Sequence, residues 1–272
     1  MNESVRHIKL TQAATAFSKQ SVVFDKIYGN DTIIRYKRKR VREHVISLLP
    51  ASSNILELNC GTGEDAIFFA EHGHSVHATD VSTGMLEKLK EKTSLVPTIS
   101  FEQCSYTDLT TLSNKGPFDL IFSNFGGLNC TADLSDVFSS FRELTKPNGI
   151  ITLVIIPPFC LWELMLLFKG QFKTAFRRFF SKNGKKAHVE GAYFNCYYHS
   201  VHHAVQLLKA EGFEVISIEG LCTIVPPSYM EGFAEKHPRL YSILIKLEER
   251  FKRKRPWRSI GDYYILSMRR TG

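Results

Sequence analysis

Three features that would assign the chain to other classes of protein are missing from its sequence. Its six cysteines are scattered and form no Cys-x-x-Cys pair. This argues against a zinc site or a disulfide framework and indicates reduced thiols in a cytosolic protein. The amino-terminal MNESVRHIKLTQ has no apolar segment of the kind that a secretory signal contains, so we expect a cytoplasmic location. Internal repeats and low-complexity tracts are also lacking, which leaves an ordinary globular protein.

A long uninterrupted apolar run is lacking too. The nearest approach to one is IITLVIIPPFCLWELMLLF at residues 150–168, which is long enough to cross a membrane. Pro157 and Pro158 break it in the middle, and Glu163 interrupts its second half. A strand, a turn and a buried or surface helix therefore explain the segment better than a spanning helix does.

What the chain does have is length and positive charge. Its 272 residues suffice for a full hydrophobic core, as one large domain or as one domain with insertions. Its formal net charge of +8 is typical of proteins that meet phosphate groups, anionic lipid or nucleic acid.

Segments with the period of a strand alternate with segments with the period of a helix along most of the chain. Asp31 and Ser82 stand where helix N-caps are expected, and Gly73 closes another helix. Such alternation implies right-handed βαβ units and an α/β fold with a mostly parallel, doubly wound sheet. Two stretches do not fit the alternation, at about residues 157–199 and 222–261.

A glycine-containing loop, ILELNCGTGEDA at residues 55–66, follows the first buried strand. Gly61 and Gly63 let the backbone approach a ligand, and the N–H groups of the next helix attract its negative end. Asp80 ends the second strand, at a spacing that suits a carboxylate on ribose hydroxyls. The pattern also describes nicotinamide and flavin proteins, so the loop alone leaves the cofactor open.

Four blocks of sequence narrow the choice of cofactor. LELNCGTGEDA, VHATDVSTGML, GPFDLIFSNF and LTKPNGIITLVI follow one another within residues 54–156. In order and spacing they resemble the class I S-adenosylmethionine-dependent methyltransferases, in particular the small-molecule and lipid/quinone-type branch (methyltransferase type 11-like). The resemblance implies S-adenosylmethionine as the cofactor. It also implies a seven-stranded Rossmann-like sheet with an antiparallel last strand, closed by EVISIEG and DYYILSMRR, and helical cap insertions.

The resemblance further implies roles for individual residues. Glu57 and the backbone of residues 59–63 would hold the methionine end of the cofactor, Asp80 would bind the ribose, and Ser123 and Asn124 would lie near the methyl group. Two departures from the family pattern are asparagine at position 59, where glycine is usual, and the lack of an acidic residue for the adenine after the third strand. The implied cofactor residues in this core are Glu57, Asn59, Cys60, Gly61, Gly63, Asp80, Val81, Met85, Ser105, Tyr106, Ser123 and Asn124.

The sequence before the first strand resembles the lead-in helices that close over the cofactor in this family. Phe17, Tyr28 and Tyr36 are candidates to face the cofactor from these helices, with core packing as the alternative for each. The implied organisation is lid helices at 1–50, a cofactor-binding core at 51–156, a cap insertion at 157–198, a return to the core at 199–222, a second insertion at 223–260 and the last core strand at 261–272.

The cap insertion carries apolar and basic side chains at helical spacing. No acidic residue occurs between Lys169 and Lys186. Three interpretations remain open: a cap helix that roofs the active site, an interfacial helix resting on anionic lipid, and a nucleic-acid contact. A second basic cluster, RFKRKRPWR at 250–258, lies in the other insertion. The two stripes of the cap are Phe168, Phe172, Phe176, Phe179 and Phe180 on one side and Lys169, Lys173 and Arg177 on the other.

Methyl transfer from a sulfonium is an in-line displacement, so alignment and exclusion of water are the main tasks of the protein. A base is needed only for an acceptor that holds its proton tightly. The candidates lie in NCYYHSVHHAV, where the chain returns from the cap: His199 first, then Tyr197 and Tyr198. A metal site is unsupported because no carboxylate accompanies these residues at ligand spacing.

We therefore expect an S-adenosylmethionine-dependent methyltransferase for a hydrophobic small molecule or lipid-like acceptor, with O-, N- or C-methylation left open. Peripheral contact with an anionic membrane surface is a further expectation, and nucleic acid is the less favoured partner. One alternative is an RNA methyltransferase that uses the basic insertions, although SNFG replaces the Asn/Asp-Pro-Pro-Tyr tetrapeptide of base-amino methylases. Two others are a nicotinamide-dependent oxidoreductase and a non-catalytic cofactor-binding protein.

Overall fold

The computed structural model of the protein describes residues 3–29, 31–179, 181, 184–189 and 191–272, with side chains for all of these except 3–11, 27, 28, 169 and 189. Its strands are β1 (Asn54–Leu58), β2 (Ser75–Asp80), β3 (Ile99–Gln103), β4 (Phe118–Ser123), β5 (Thr145–Ile155), β6 (Lys185–Val189), β7 (Ala192–Cys196), β8 (Phe213–Leu221) and β9 (Tyr263–Arg270). Its helices are α1 (Glu3–Gly29), α2 (Thr32–Ile46), α3 (Glu64–Glu71), α4 (Thr83–Thr93), α5 (Ser135–Phe138), α6 (Phe141–Leu144), α7 (Leu161–Met165), α8 (Phe172–Ala175), α9 (Val201–Ala210), α10 (Phe233–Lys236) and α11 (Pro238–Phe251).

The main sheet has the strand order β3-β2-β1-β4-β5-β9-β8. The first five strands are parallel, and β9 pairs antiparallel with both β5 and β8. The predicted seven-stranded sheet with an antiparallel last strand is therefore confirmed. Because β8 runs in the same direction as β5, the glycine loop and both insertions leave the sheet at one edge, formed by the carboxyl ends of the parallel strands.

Apolar side chains bury both faces of the central strands. In β1, Leu56 and Leu58 join one core cluster and Ile55 joins the other, and in β4 Ile121 and Phe122 divide in the same way. This is the period-2 alternation of a strand that is covered on both sides. The central strands are thus rigid supports for the loops at their carboxyl ends.

Two predicted helix caps are present. The Asp31 carboxylate accepts the Ile34 N–H at 2.7 Å and starts α2, and the Ser82 hydroxyl accepts the Met85 N–H at 3.2 Å and starts α4. Each cap satisfies a backbone donor that the first turn of a helix leaves without a partner. These short-range signals fix where the lid helix and the cofactor-side helix begin.

The cap insertion is not the single amphipathic helix that the spacing of its phenylalanines predicts. A 3-10 turn at Leu166–Lys169 follows α7, Gly170 has a φ of 70°, and α8 is only 4 residues long. The left-handed glycine ends the helical turn, although the apolar spacing continues beyond it. A hairpin of β6 and β7 completes the insertion.

The helical stretch between β4 and β5 is also divided. The segment ADLSDVFSSFRELT forms α5 and α6 with a break at Ser139 and Ser140. The Ser139 hydroxyl donates to the Asp136 carbonyl at 3.0 Å, and such local side-chain bonds compete with a continuous helix.

Among the described residues, no helix combines the length and the apolar character that crossing a membrane requires.

A buried carboxylate organises the start of the second insertion. Glu248 of α11 accepts the backbone N–H groups of residues 222–225 at 2.8–3.0 Å, just after β8 ends. It also accepts the Tyr36 hydroxyl of α2 at 3.2 Å and lies 3.5 Å from the Arg40 guanidinium. One side chain therefore anchors the insertion both to the sheet and to the lid helix.

The variant Glu248→Gln should lower the free energy of unfolding by about 2–4 kcal/mol, because the amide keeps only one accepting oxygen for the buried N–H groups and removes a charge opposite Arg40. Chemical denaturation followed by circular dichroism measures the loss. Glu249→Gln is the matched control, since that neighbouring side chain is 43% exposed and pairs with Arg40 and Lys252. It should cost less than about 1 kcal/mol, and equal losses in the two variants would contradict the assigned role of Glu248.

Candidate active site

The glycine loop turns sharply between β1 and α3. Asn59, Gly61 and Gly63 have left-handed φ values of 48°, 56° and 82°. Asparagine tolerates this conformation better than most residues, which explains how Asn59 stands where glycine is usual. A Cβ on Gly63 would lie 2.0 Å from Leu89 of α4, so close packing requires glycine there as well.

The Asn59 side chain joins the glycine loop to the end of β4. Its Oδ1 accepts the Ser123 hydroxyl at 2.7 Å, and its Nδ2 donates to the Asn124 carbonyl at 3.2 Å. A Cβ on Gly127 would lie 2.2 Å from the Asn59 amide, so the loop after β4 needs glycine to admit this side chain. The structure thus brings together Asn59, Ser123 and Asn124, which the sequence predicted as parts of one site.

Two buried carboxylates lie beside the glycine loop, and only one of them is paired with arginines. Asp65, in the first turn of α3, accepts Arg42 at 2.6 Å, lies 3.2 Å from Arg38 and accepts the Asn124 amide at 2.8 Å. Burial would raise the pKa of Asp65, but Arg38 and Arg42 hold it below its usual value. Burial and the nearby Asp65 raise the pKa of Glu57 well above its usual range, and its Oε2 has no hydrogen-bond partner among the described residues.

Asp80 closes the other side of the loop. Its carboxylate accepts the N–H groups of Gly61 at 2.9 Å and of Ser82 at 2.8 Å. Burial raises its pKa, and these N–H groups oppose the rise. Each oxygen keeps a second lone pair, so the carboxylate can still accept hydroxyl donors.

The remaining implied cofactor residues, Val81, Met85, Ser105 and Tyr106, follow β2 and β3. Met85 is buried in the first turn of α4, and the Val81 carbonyl accepts the Gln103 amide at 3.0 Å. Ser105 shares a hydrogen bond of 2.8 Å with Thr107. The Tyr106 hydroxyl is buried with no partner among the described residues, and burial raises its pKa well above its usual value.

Helix α1 covers the glycine loop. The Asp25 carboxylate accepts the Thr62 hydroxyl at 2.6 Å and lies 2.5 Å from Lys92 of α4. The Phe24 ring comes within 4.0 Å of the position that a Cβ on Gly61 would take. Between α1 and the end of β2 lies a cavity of about 430 Å³, lined in part by Ser18, Lys19, Val81, Thr83 and Gln103.

The predicted lid aromatics do not all face the cofactor loop. Phe17 packs against Phe194 of β7, with ring centroids 5.3 Å apart. Tyr36 points away from the loop, because its hydroxyl bonds Glu248 and its ring packs edge-on against Tyr241. The side chain of Tyr28 lies outside the described residues. The lid aromatic that reaches the glycine loop is Phe24. Its spacing of seven residues from Phe17 places both on one helix face, and this pattern could have identified it in the sequence.

The cap, the lid and the last strand meet in a buried network of charges. Asp262, which precedes β9, lies 3.3 Å from Lys37 of α2 and 3.1 Å from Arg178 of the cap. Arg178 and Arg177 both pair with Glu163 of α7 at 2.6 Å. Burial would raise the pKa of Asp262, but Lys37 and Arg178 hold it below its usual value. This network fixes the inner side of the cap above the carboxyl edge of the sheet.

The predicted catalytic residues have structural partners. Burial lowers the pKa of His199 to about 4, and its Nε2 lies 3.0 Å from the Thr131 carbonyl. These features make His199 a weak base. Burial raises the pKa of Tyr198 to about 12, and its ring lies 5.4 Å from the Arg178 guanidinium carbon. Tyr197 is buried, and its carbonyl accepts the Asn129 amide at 2.6 Å.

Asn129 is a site residue that sequence reasoning missed. Its amide nitrogen donates to the carbonyls of Ile156 and Tyr197, and its Oδ1 accepts the Ile156 N–H at 2.9 Å. It therefore ties the loop after β4 to the end of β5 and to the returning chain. Nothing in the local sequence distinguishes it, because its partners lie far along the chain.

Much of the second basic cluster is paired internally. Lys252 and Arg253 both lie close to the buried Glu219 carboxylate, at 3.4 Å and 2.7 Å, and Lys252 also pairs with Glu249. The Lys254 ammonium lies 5.2 Å from the Phe251 ring centroid. Part of the charge in residues 250–258 thus stabilises the fold.

These features fit S-adenosylmethionine. Glu57 presents a buried carboxylate oxygen that lacks a donor, and an amino group would supply both the donor and the compensating charge. Asp80 offers free lone pairs next to a loop whose glycines allow close approach, which suits a ribose diol. The two arginines on Asp65 leave Glu57 as the carboxylate that needs a cation.

Comparison with known proteins agrees with this geometry. Residues 55–149 match the family described as Methyltransferase domain. The methyltransferase YqeM of Bacillus subtilis is 33% identical over 119 residues, which span 43% of this chain and 47% of that protein. The chain thus spans about half the length of this relative. The tRNA 5-carboxymethoxyuridine methyltransferase of Escherichia coli is 23% identical over 226 residues, 81% of each chain.

A solved structure shows the same fold. The 1,6-didemethyltoxoflavin-N1-methyltransferase of Burkholderia thailandensis, with bound 1,6-didemethyltoxoflavin and S-adenosylhomocysteine, superposes with a TM-score of 0.57 at 14% identity. The superposition covers 98% of this chain and 91% of that one. In dinucleotide-binding Rossmann folds the sheet has the order 3-2-1-4-5-6, whereas here the antiparallel β9 lies between β5 and β8. The chain therefore carries a methyltransferase domain at residues 55–149 and has the fold of the class I S-adenosylmethionine-dependent methyltransferases.

Proposed function

We propose that the protein transfers a methyl group from S-adenosylmethionine to a hydrophobic small molecule or lipid-like acceptor held beneath the cap. The observation that carries the cofactor half of this proposal is the unpartnered, buried oxygen of Glu57 beside the Asp80 carboxylate and the glycine loop. The bound cofactor supplies a methyl group that is already activated on a sulfonium. The residues of the chain then bind, align and exclude water.

Aromatic side chains support an apolar acceptor. Phe125, directly after β4, packs edge-on against Tyr263 of β9 with centroids 6.1 Å apart. Phe17 and Phe194 join the lid to the cap hairpin. The nearby cations are already paired, Lys37 with Asp262 and Arg178 with both Asp262 and Glu163, so apolar contacts are what this region mainly offers an acceptor.

Methyl transfer to the acceptor should not depend on a strong base in the protein. His199 bonds the Thr131 carbonyl, and its low pKa makes it a weak proton acceptor. Tyr198 stays protonated at neutral pH, because burial raises its pKa to about 12. We therefore favour acceptors whose nucleophile is a lone pair or a readily ionised group. His199 then serves as a positioning residue that holds the returning chain against the loop after β4.

An RNA acceptor is the second candidate, and one observation favours it. The match to the tRNA methyltransferase of Escherichia coli covers 81% of both chains. The internal pairing of Lys252 and Arg253 with Glu219 argues against it, because these cations are already engaged.

Calorimetric titration should show binding of S-adenosylmethionine and S-adenosylhomocysteine, and no binding of NAD or NADP. Glu57→Gln and Asp80→Asn should each weaken binding by about tenfold or more, because each removes a charge-assisted hydrogen bond. Asp119→Asn is the matched control, since Asp119 pairs with Lys146 at the far end of β4, and it should bind like the wild type. Binding of a nicotinamide cofactor, or equal loss in all three variants, would refute the assignment of the site.

A transfer assay with radiolabelled S-adenosylmethionine separates the two acceptor classes. We expect label in the organic phase when total lipid extract is offered, and no label in added tRNA. A Glu57→Gln protein is the negative control, because it removes the cofactor contact without touching the insertions. Label in tRNA alone would replace the lipid-like acceptor by RNA.

The pH dependence of stability tests the state of His199. Its pKa is about 4 in the folded protein and about 6.5 when unfolded, so folding favours the neutral ring. The free energy of unfolding therefore carries no penalty from His199 above about pH 6.5 and falls as the pH decreases towards 4, by about 3 kcal/mol. Denaturation of wild type and His199→Asn between these pH values should show the difference in unfolding free energy shrinking in that window. A constant difference would mean that His199 titrates normally.

A further inference from the structure

We propose that the cap insertion docks on an anionic lipid surface through exposed phenylalanines. Phe168 is 91% exposed, Phe172 63%, Phe179 48% and Met165 47%. These four side chains, which we call the cap patch, fall within one short segment. Exposed apolar clusters of this kind usually mark an interaction site.

The outward direction of the cap patch follows from how the insertion is held. Glu163, buried in α7, pairs with Arg177 and Arg178, and Arg178 also pairs with Asp262. These contacts fix one side of the insertion towards the sheet. Phe168 and Phe172 remain largely exposed, so no described element covers them.

The charges of the insertion that carries the cap patch are complementary to anionic lipid. The sequence has no acidic residue at positions 164–189. Lys173, Lys185 and Lys186 are exposed, and among the described residues they form no ion pair. Lysines next to exposed aromatics are the combination that binds the headgroup region of an anionic bilayer.

The second insertion repeats this combination. On α11, Leu240 is 46% exposed, Ile243 53% and Leu247 40%. The basic side chains Arg239, Lys246 and Arg250 run beside this stripe and are also exposed. Because both insertions leave the carboxyl edge of the sheet, the apolar and basic surfaces lie on the segments that surround the cofactor site.

Charge also argues against a second copy of the chain as the occupant. A symmetric contact through the cap patch would place the lysines of one copy close to those of the other, and like charges across an interface are unfavourable. A lipid surface instead supplies both the apolar layer and the negative charge. A lipid-like acceptor could then be taken directly from the surface, a consequence that rests on the proposed function, whereas docking itself does not.

Co-sedimentation of the full chain with phosphatidylcholine vesicles, with and without phosphatidylserine, tests the proposal. We expect binding only with phosphatidylserine and a decrease as sodium chloride rises. The double variant Phe168→Ser/Phe172→Ser should lower the partition coefficient by about tenfold or more. The control is Leu95→Ser, because Leu95 is also 91% exposed but follows α4 at the opposite edge of the sheet; it should bind like the wild type.

A triple variant, Lys173→Gln/Lys185→Gln/Lys186→Gln, should weaken binding about fivefold or more and flatten its dependence on salt. Absence of vesicle binding, or equal loss in the Leu95 control, would overturn the proposal. So would sedimentation velocity showing a dimer that the phenylalanine variant abolishes, or binding of tRNA in place of vesicles. Calorimetry with S-adenosylmethionine on the same variants should be unchanged, so failure of docking is distinguishable from failure of the proposed function.

Discussion

The buried carboxylate of Asp262 is the constraint on which the arrangement of the insertions depends. A charge taken out of water is costly unless it is paired, and Asp262 finds its partners on distant segments, Lys37 of the lid and Arg178 of the cap. Arg178 in turn requires Glu163, and Glu163 also takes Arg177. Satisfying one carboxylate at the start of the last strand therefore brings lid, cap and sheet together over the edge where the cofactor loop lies.

At the proposed cofactor site, in contrast, one buried carboxylate is left without a partner. Arg38 and Arg42 are both committed to Asp65, and Glu57 stays buried without a donor. An unsatisfied buried carboxylate destabilises the isolated protein, and a bound amino group would remove that cost. In the proposed function an amino group would therefore gain a partner at Glu57, whereas near Asp262 the cations Lys37 and Arg178 already have carboxylate partners.

What the sequence predicted correctly depends on local chemistry. The glycine loop, the Asp31 and Ser82 caps and the alternating strands are each encoded within a few residues, and all are present in the structure. Asn129 was missed because its partners lie far along the chain, whereas Phe24 was missed although its spacing from Phe17 indicated the same helix face. Tyr36 was placed at the cofactor because its neighbours resemble a lid, although long-range contact with Glu248 turns it away. The cap phenylalanines kept a helical period through Gly170, which ends the helix.

The two sides of the cap insertion make different contacts. Its inner side is fixed by Glu163 and Arg178 and can roof an acceptor site, while its outer side presents Phe168 and Phe172 to the surroundings. A roof and a lipid contact, which look like alternatives in the sequence, are therefore compatible in the structure. The break in the helix at Gly170 allows both contacts. A continuous amphipathic helix would have a single apolar face, which could pack against the active site or against lipid but not against both.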